Sequence, residues 1–304
     1  MNIDVKTVAN FLGEKYIGAN ISLSNITSLS NLQDGSIAFC KTTSLPEIQK
    51  KCLILLPYGF SEDIKSDSSF SIIKVKNPRL SFAKVANKFF VSKNNNSISV
   101  SSKIGKNCSI GENVSIGEYC TIGDNVKIGN NTKINNLVVI GNNTVIGNNC
   151  YIKSGSVIGE DGFGFDFEDD RTPVRIPHIG NVIIENCVEI GAKNSIAKAT
   201  FDSTIIKDGV KTDDQVHIGH NCNIGKNTII TACAEISGSV NIGENCWIGP
   251  NTSIIQKIKI GKNVTIGIGT IVTNDIEDNK KVMCLHGLGL RDLAKFKKDA
   301  KYGK

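Results

Sequence analysis

The chain has 304 residues, 10 cysteines, 6% aromatic residues and a formal net charge of +6 at pH 7. That length accommodates a repeat domain beside a smaller one. The mild positive charge carries no nucleic-acid footprint, and no stretch is apolar and long enough to span a membrane. The start, Met1-Asn2-Ile3-Asp4-Val5-Lys6, has no signal-peptide core, so a cytoplasmic location is expected.

Residues 1–91 show no repeat. Val5, Val8, Phe11 and Leu12 mark an amphipathic helix, and Ile37-Ala38-Phe39 and Leu53-Ile54-Leu55-Leu56 are strand-like. Asn77-Pro78-Arg79 reads as a turn into a second helix, packed by Leu80, Phe82, Val85, Ala86 and Phe89. A small α/β domain is predicted over 1–91, tied by the polar segment Ser92–Asn96 to the rest of the chain.

From Ile98 to Ile158 every sixth residue is isoleucine, and a second run in one register extends from Ile218 to Ile266. A period of six is neither helical nor simple strand alternation and points to a repeat architecture. Gly often follows the isoleucine (Ile104-Gly105, Ile110-Gly111, Ile116-Gly117) and Asn recurs two positions later (Asn107, Asn113, Asn125). Both tolerate positive φ, so each hexad is expected to carry its own corner. The position two before each isoleucine is small or β-branched, as at Val114, Cys120, Val126 and Thr132. Three hexads then form one triangular coil, and stacked coils bury a core that no hexad buries alone. The predicted fold is mainly β: a parallel β-helix over 97–276. Cys108, Cys120, Cys150, Cys222 and Cys246 take the small interior position, so they read as reduced core thiols rather than disulfide or zinc partners.

The repeat breaks over 160–181, around Asp161-Gly162-Phe163-Gly164-Phe165, and an excursion of that length from a solenoid is usually functional. It slips phase again near Phe201-Asp202. Residues 277–304 form a C-terminal extension ending in a basic helix with Arg291, Lys295, Lys297, Lys298, Lys301 and Lys304.

There are four histidines. His217 and His220 flank the buried Ile218 and are expected to point outward, while His178 and His286 lie outside the regular coils. His220, and less strongly His217, are candidate catalytic groups. Two other readings stay open: a metal-dependent hydratase using histidines across a subunit interface, and an inactive structural relative.

Several motifs go beyond generic hexads. Ser36-Ile37-Ala38-Phe39, Asn77-Pro78-Arg79-Leu80-Ser81-Phe82-Ala83, Val157-Ile158-Gly159-Glu160-Asp161-Gly162-Phe163-Gly164-Phe165 and Gln215-Val216-His217-Ile218-Gly219-His220-Asn221 together resemble the UDP-3-O-acylglucosamine N-acyltransferases of lipid A synthesis, a family of hexapeptide acyltransferases. The resemblance implies a left-handed β-helix, a homotrimer with sites between faces, and a nucleotide-binding role for the first domain. It makes His220 the base, Asp213 its acidic partner and the Gly238 N–H an oxyanion donor. It places substrate at Phe39, Thr42, His217, Phe163, Phe165 and Lys257. It implies no cofactor beyond the co-substrate thioester of coenzyme A or acyl carrier protein.

The chain departs from that pattern at three places. Gln256-Lys257 stands where the family has a second histidine, Ile196-Ala197-Lys198 replaces Ile-Asp-Arg, and Thr42 and Leu45 replace two members of the uracil platform around Phe39. These departures favour a relative that N-acylates a different nucleotide-linked amino sugar for surface glycan synthesis. The alternative is the lipid A enzyme itself. Lys257 points to a short acyl group, and the basic tail to docking of an acidic carrier protein or of coenzyme A phosphates.

Overall fold

The computed structural model describes residues 3–42, 44–61, 69–91 and 96–284. The chain divides into two compact units, Met1–Lys93 and Asn94–Lys304. The basic tail and His286 fall outside the described residues.

In the first unit, helix α1 spans Val5–Leu12. Asp4 caps it by accepting from the Thr7 N–H at 2.8 Å, and Gly13 closes it at φ 72°. Hydrogen bonds from Thr7 and Asn20 hold the Asp4 carboxyl at about 2. A five-stranded sheet runs in the order Tyr16–Ile17, Ser71–Val75, Leu53–Pro57, Ser36–Phe39, Asn25–Ile26, parallel except at the first pair. The run Leu53-Ile54-Leu55-Leu56 is apolar throughout because both faces of its strand are covered. Leu53 and Leu55 pack with Val5, Val8 and Val85, while Ile54 and Leu56 pack with Cys52, Phe60 and Ile72. Helix α2, Pro78–Phe89, is capped by Asn77 and turns Phe82, Val85 and Phe89 inward. Leu80, expected in that packed stripe, is 51% exposed instead. It falls outside the three-and-four spacing that lines up 82, 85 and 89.

The second unit is a left-handed parallel β-helix with sheets of nine, nine and eight strands. The first face runs from Lys103–Ile104 to Ile271–Val272, the second from Ser109–Ile110 to Lys259–Ile260, and the third from Ser115–Ile116 to Lys281–Val282. Each hexad isoleucine lies beside its counterpart one coil on: Ile122 beside Ile140, Ile128 beside Ile146, Ile134 beside Ile152. They form one continuous core with the small positions between them. Each buried isoleucine contributes about 1.5–3 kcal/mol. Cys120, Cys150, Cys222 and Cys246 are buried free thiols, and burial pushes Cys222 up to about 12. Cys108, in the first coil, is only half-buried.

The corner residues divide the labour differently from the sequence expectation. Asparagines do turn the corners, with φ of 55° at Asn107, 57° at Asn125 and 60° at Asn143. The glycines after hexad isoleucines do not, apart from Gly159 at φ 88°, where the insertion departs. An atom at the Cβ position of Gly123 would lie 2.3 Å from Asn142 Oδ1 and 2.7 Å from Asn142 N, so it is the close stacking of coils that requires glycine there. No helix among the described residues is long and apolar enough to cross a membrane.

Candidate active site

The candidate residues converge on the corner that follows the first face. In the early coils this corner is self-capping. The Lys106 N–H donates to Asp124 Oδ1 at 2.7 Å, and the Asp124 N–H to Asn142 Oδ1 at 2.8 Å, one coil on each time. The insertion 160–181 leaves the helix at this same corner, from the strand Val157–Glu160. Beyond it the corner carries Lys198, His220, Gly238 and Gln256.

His220 is half-buried, and its Nδ1 lies 2.7 Å from Asn221 Oδ1. That oxygen also receives the Thr200 N–H at 3.2 Å and the Thr200 hydroxyl at 2.8 Å. A backbone N–H only donates, so the atom it meets is an acceptor, and His220 Nδ1 must be the donor. The imidazole is therefore held as the Nδ1–H tautomer, with the lone pair on Nε2. Thr200 reaches Asn221 because of the phase slip: Ser195 to His217 takes 22 residues, where Thr121 to Val139 takes 18.

Gly238 lies one coil further. An atom at its Cβ position would be 2.7 Å from His220 Nε2, so the missing side chain leaves that nitrogen open. The residue one coil on is Gln256 rather than Asn or Asp, and the Gly238 N–H has no acceptor among the described residues.

The insertion folds back over this corner. Phe165–Phe167 pairs antiparallel with Pro173–Arg175, and the chain returns through His178, which is only 4% exposed. The His178 ring stands edge-on to His220, with centroids 5.2 Å apart and planes at 77°. Burial pushes the His178 pKa down, and neighbouring His220 lowers it further. Lys198 pins the base of the insertion, with Nζ 2.8 Å from Asp161 Oδ1 and its N–H on the Glu160 carbonyl at 2.9 Å. The hydrogen bond from Lys198 holds the Asp161 carboxyl below its ordinary value.

A cleft of about 930 Å³ opens here, and its walls include His220, Gly238, His217, Phe163, Phe165 and Lys257. Six of the nine predicted site residues thus share one space. Phe163 is 85% exposed and lies 4.9 Å from the Phe165 ring, over which the Arg175 guanidinium sits at 4.9 Å. His217 Nε2 is 3.7 Å from Glu235 Oε1, an ion pair when the imidazole is protonated. Lys257 is exposed, at a corner with φ 64°.

Three predicted residues lie elsewhere. Asp213 sits at the opposite edge of the first face, exposed, with Oδ1 accepting from the Asp214 N–H. Among the described residues the acceptor on the His220 ring is Asn221. The strand His217–Ile218 separates residues 213 and 220, so they occupy different corners of one coil. Phe39 and Thr42 belong to the first unit. Phe39 is half-buried with its ring 5.1 Å from Phe82, and the Thr42 hydroxyl donates to the Ser44 carbonyl at 2.9 Å. Sequence reasoning passed over His178 and Asn221. His178 closes an insertion that must return to the corner it left, and Asn221 occupies the recurrent Asn position beside a histidine. Among the described residues no group of three or more His, Cys, Asp or Glu side chains is placed to hold a metal ion.

Comparison with known proteins agrees with this architecture. Residues 125–160, 203–238 and 239–274 match the bacterial transferase hexapeptide family, described as six repeats, and 102–136 the hexapeptide repeat of succinyl-transferase. The chain is 44% identical over 248 residues to the UDP-3-O-acylglucosamine N-acyltransferase of Campylobacter lari, covering 77% of each. An 82-residue stretch is 58% identical to the Cytophaga hutchinsonii enzyme of the same name, 27% of this chain and 24% of that one. The solved LpxA of Acinetobacter baumannii superposes with a TM-score of 0.56 at 26% identity, over 66% of this chain and 77% of that one. The UDP-N-acetylglucosamine acyltransferase from Campylobacter jejuni gives 0.53 at 26%, over 59% and 68%. With its hexad core, its interrupted corner and a relative at this identity over most of its length, the chain belongs to the UDP-3-O-acylglucosamine N-acyltransferase family of hexapeptide-repeat acyltransferases.

Proposed function

We propose that the chain transfers an acyl group from an acyl thioester to the free amine of UDP-3-O-acylglucosamine, the acceptor that names its relatives. The reading rests on one observation above the rest: His220 is locked with its lone pair on Nε2, in an open cleft, with an unbonded backbone N–H beside it. Nε2 takes a proton as the amine nitrogen attacks the thioester carbonyl and the C–N bond forms. The Gly238 N–H meets the charge that develops on the carbonyl oxygen. The C–S bond then breaks, and the imidazolium returns its proton to the departing thiolate. Asn221 Oδ1 supports the imidazolium through Nδ1–H. Phe163 and Phe165 wall the cleft, while His217 and Lys257 supply polar contacts to the sugar nucleotide or donor. Phe39 and Thr42 are proposed to bind the nucleotide.

Either coenzyme A or acyl carrier protein serves as donor in this scheme. We infer a homotrimer as the working assembly, supported by Ile255, Ile268 and Ile271, which lie exposed on the last coils. The relatives' names favour UDP-3-O-acylglucosamine over the different amino sugar that the departures at Thr42, Ala197 and Lys257 first suggested. The deciding experiment is mass spectrometry of products from mixed UDP-amino sugars with short and long acyl thioesters. The proposal expects an N-acylated UDP-3-O-acylglucosamine, and His220→Ala is expected to cut turnover about 10²–10⁴-fold. Product formed solely from another amino sugar, or with short acyl groups alone, would overturn it in favour of the surface-glycan reading.

A further inference from the structure

His178 is an unusual core residue. Its Nδ1 is 3.1 Å from the Ile176 carbonyl, which only accepts, so Nδ1 carries the proton and Nε2 the lone pair. That Nε2 is buried and has no hydrogen-bond partner among the described residues. Buried polar atoms are normally paired, so stability alone favours an apolar ring at this position. The ring instead stands against His220. Gly162 is threaded beside both: an atom at its Cβ position would lie 2.9 Å from His178 Nε2 and 2.9 Å from His220 Cδ2. Gly164 passes nearly as close, its Cβ position 3.1 Å from His178 Cε1. Two glycines thus let the insertion press an imidazole onto the edge of the base. Lys198 and Asp161 fasten the segment that carries them.

We propose that His178 is a positioning residue for the acyl transfer: anchored on the Ile176 carbonyl, its ring fixes the plane of the His220 imidazole, while Gly162 lies against the Cδ2 edge. The proposal rests on the reading of His220 as base. His220 has Asn221 on one side and His178 on another, so its ring is held at two points while Nε2 stays open. A base that wobbles by a fraction of an ångström loses rate without losing affinity.

The test pairs kinetics with a readout independent of turnover. In protein labelled with nitrogen-15 histidine, four imidazoles are to be resolved, and His220 is assigned by its loss in His220→Gln. The native protein is expected to show His220 as a single Nδ1–H tautomer. In His178→Ala, Asn221 still holds the Nδ1–H tautomer, but the His220 ring resonances should shift and broaden as the ring loosens, and kcat should fall about 10–100-fold, with KM for both substrates changed less than about threefold. His178→Phe keeps the ring edge and should recover kcat to within about fivefold of native. Added imidazole should partly rescue the alanine variant. Rates are normalised to folded protein, so a merely structural loss leaves kcat per folded molecule and the His220 line widths unchanged. Either of those outcomes in His178→Ala overturns the proposal. Full activity in His220→Ala would instead remove the base assignment, while the His220 line widths in His178→Ala would still judge the contact.

Discussion

The early coils and the later ones are built from the same hexad, yet their first corners behave in opposite ways. The N–H groups of Lys106 and Asp124 are each capped by a side chain one coil on, Asp124 and Asn142, so the corner is closed there. Over His220, Gly238 and Gln256 the capping Asn or Asp is absent, and the Gly238 N–H, without an acceptor among the described residues, and an open imidazole nitrogen lie at a cleft. The isoleucine core beneath is the same in both, with Ile122 and Ile218 equally buried. The mechanism proposed above uses a corner without those caps, over a core that is unaltered.

Adding one methyl group on either side of that divide should separate the two roles most sharply. At Gly123 a Cβ would meet the side chain and backbone of Asn142 at 2.3 and 2.7 Å, in the stacking of one coil on the next. At Gly238 the nearest atoms belong to the His220 ring, at 2.7 and 2.8 Å. Gly238→Ala is therefore expected to displace the base and cut kcat about 100-fold or more while the melting temperature moves little. Gly123→Ala is expected to cost about 1–3 kcal/mol of stability and leave kcat of the folded enzyme intact. Matched thermal unfolding and steady-state kinetics decide it. Equal stability losses in the two variants would erase the distinction.

The hexad made the scaffold legible because isoleucine recurs every six residues from Ile98 to Ile158, buried from Ile116 onward, and carries its spacing openly. His217 and His220 were legible for the same reason, since the repeat says which residues face out, whereas Gly238 came from the family resemblance. Asn221, Thr200 and His178 were not. Thr200 reaches Asn221 through a coil of 22 residues, and His178 reaches His220 through an insertion, so neither contact obeys the period. Asp213 shows the converse. Seven residues is a short distance along the chain, but here it spans a whole strand and ends at another corner. Leu80 failed for a simpler reason, being off the helical stripe that Phe82, Val85 and Phe89 share.

Asn221 allows a finer test of the uncapped corner. It has φ 61°, so glycine accepts its backbone and removes only the side chain. Asn221→Gly frees the His220 tautomer and strips Thr200 of its acceptor, and kcat is expected to fall about 10–30-fold. Asn221→Asp tolerates the same φ and keeps an acceptor oxygen for Nδ1–H, so it should stay within about fivefold of native. If glycine and aspartate variants behaved alike, the hydrogen bond to Nδ1 would not be what orients the base.

The smallest expected effect concerns acid stability, where the inserted segment again differs from the regular coils. Burial lowers the His178 pKa below its ordinary value near 6.5, with His220 and Lys198 acting the same way and the Ile176 carbonyl and Asp161 opposing. Arg175 and Lys198 face Asp161 in turn. A histidine whose folded pKa lies below its unfolded one binds fewer protons when folded. Its neutral form therefore supports the fold above about pH 6.5, and that support drains away as the pH falls toward the folded value. Asp161, held low by Lys198, titrates in a more acidic window and does not confuse the measurement. In chemical denaturation at pH 7.5, 6.5 and 5.5, native protein should lose stability on acidification faster than His178→Phe. The difference in slope is limited to one proton, about 1.4 kcal/mol per pH unit at most. A replacement at an exposed corner such as Lys257→Met should leave the native slope unchanged. Parallel curves for native protein and His178→Phe would mean that the ring is not shielded from water, and would take with them the sealed contact on which the positioning of His220 depends.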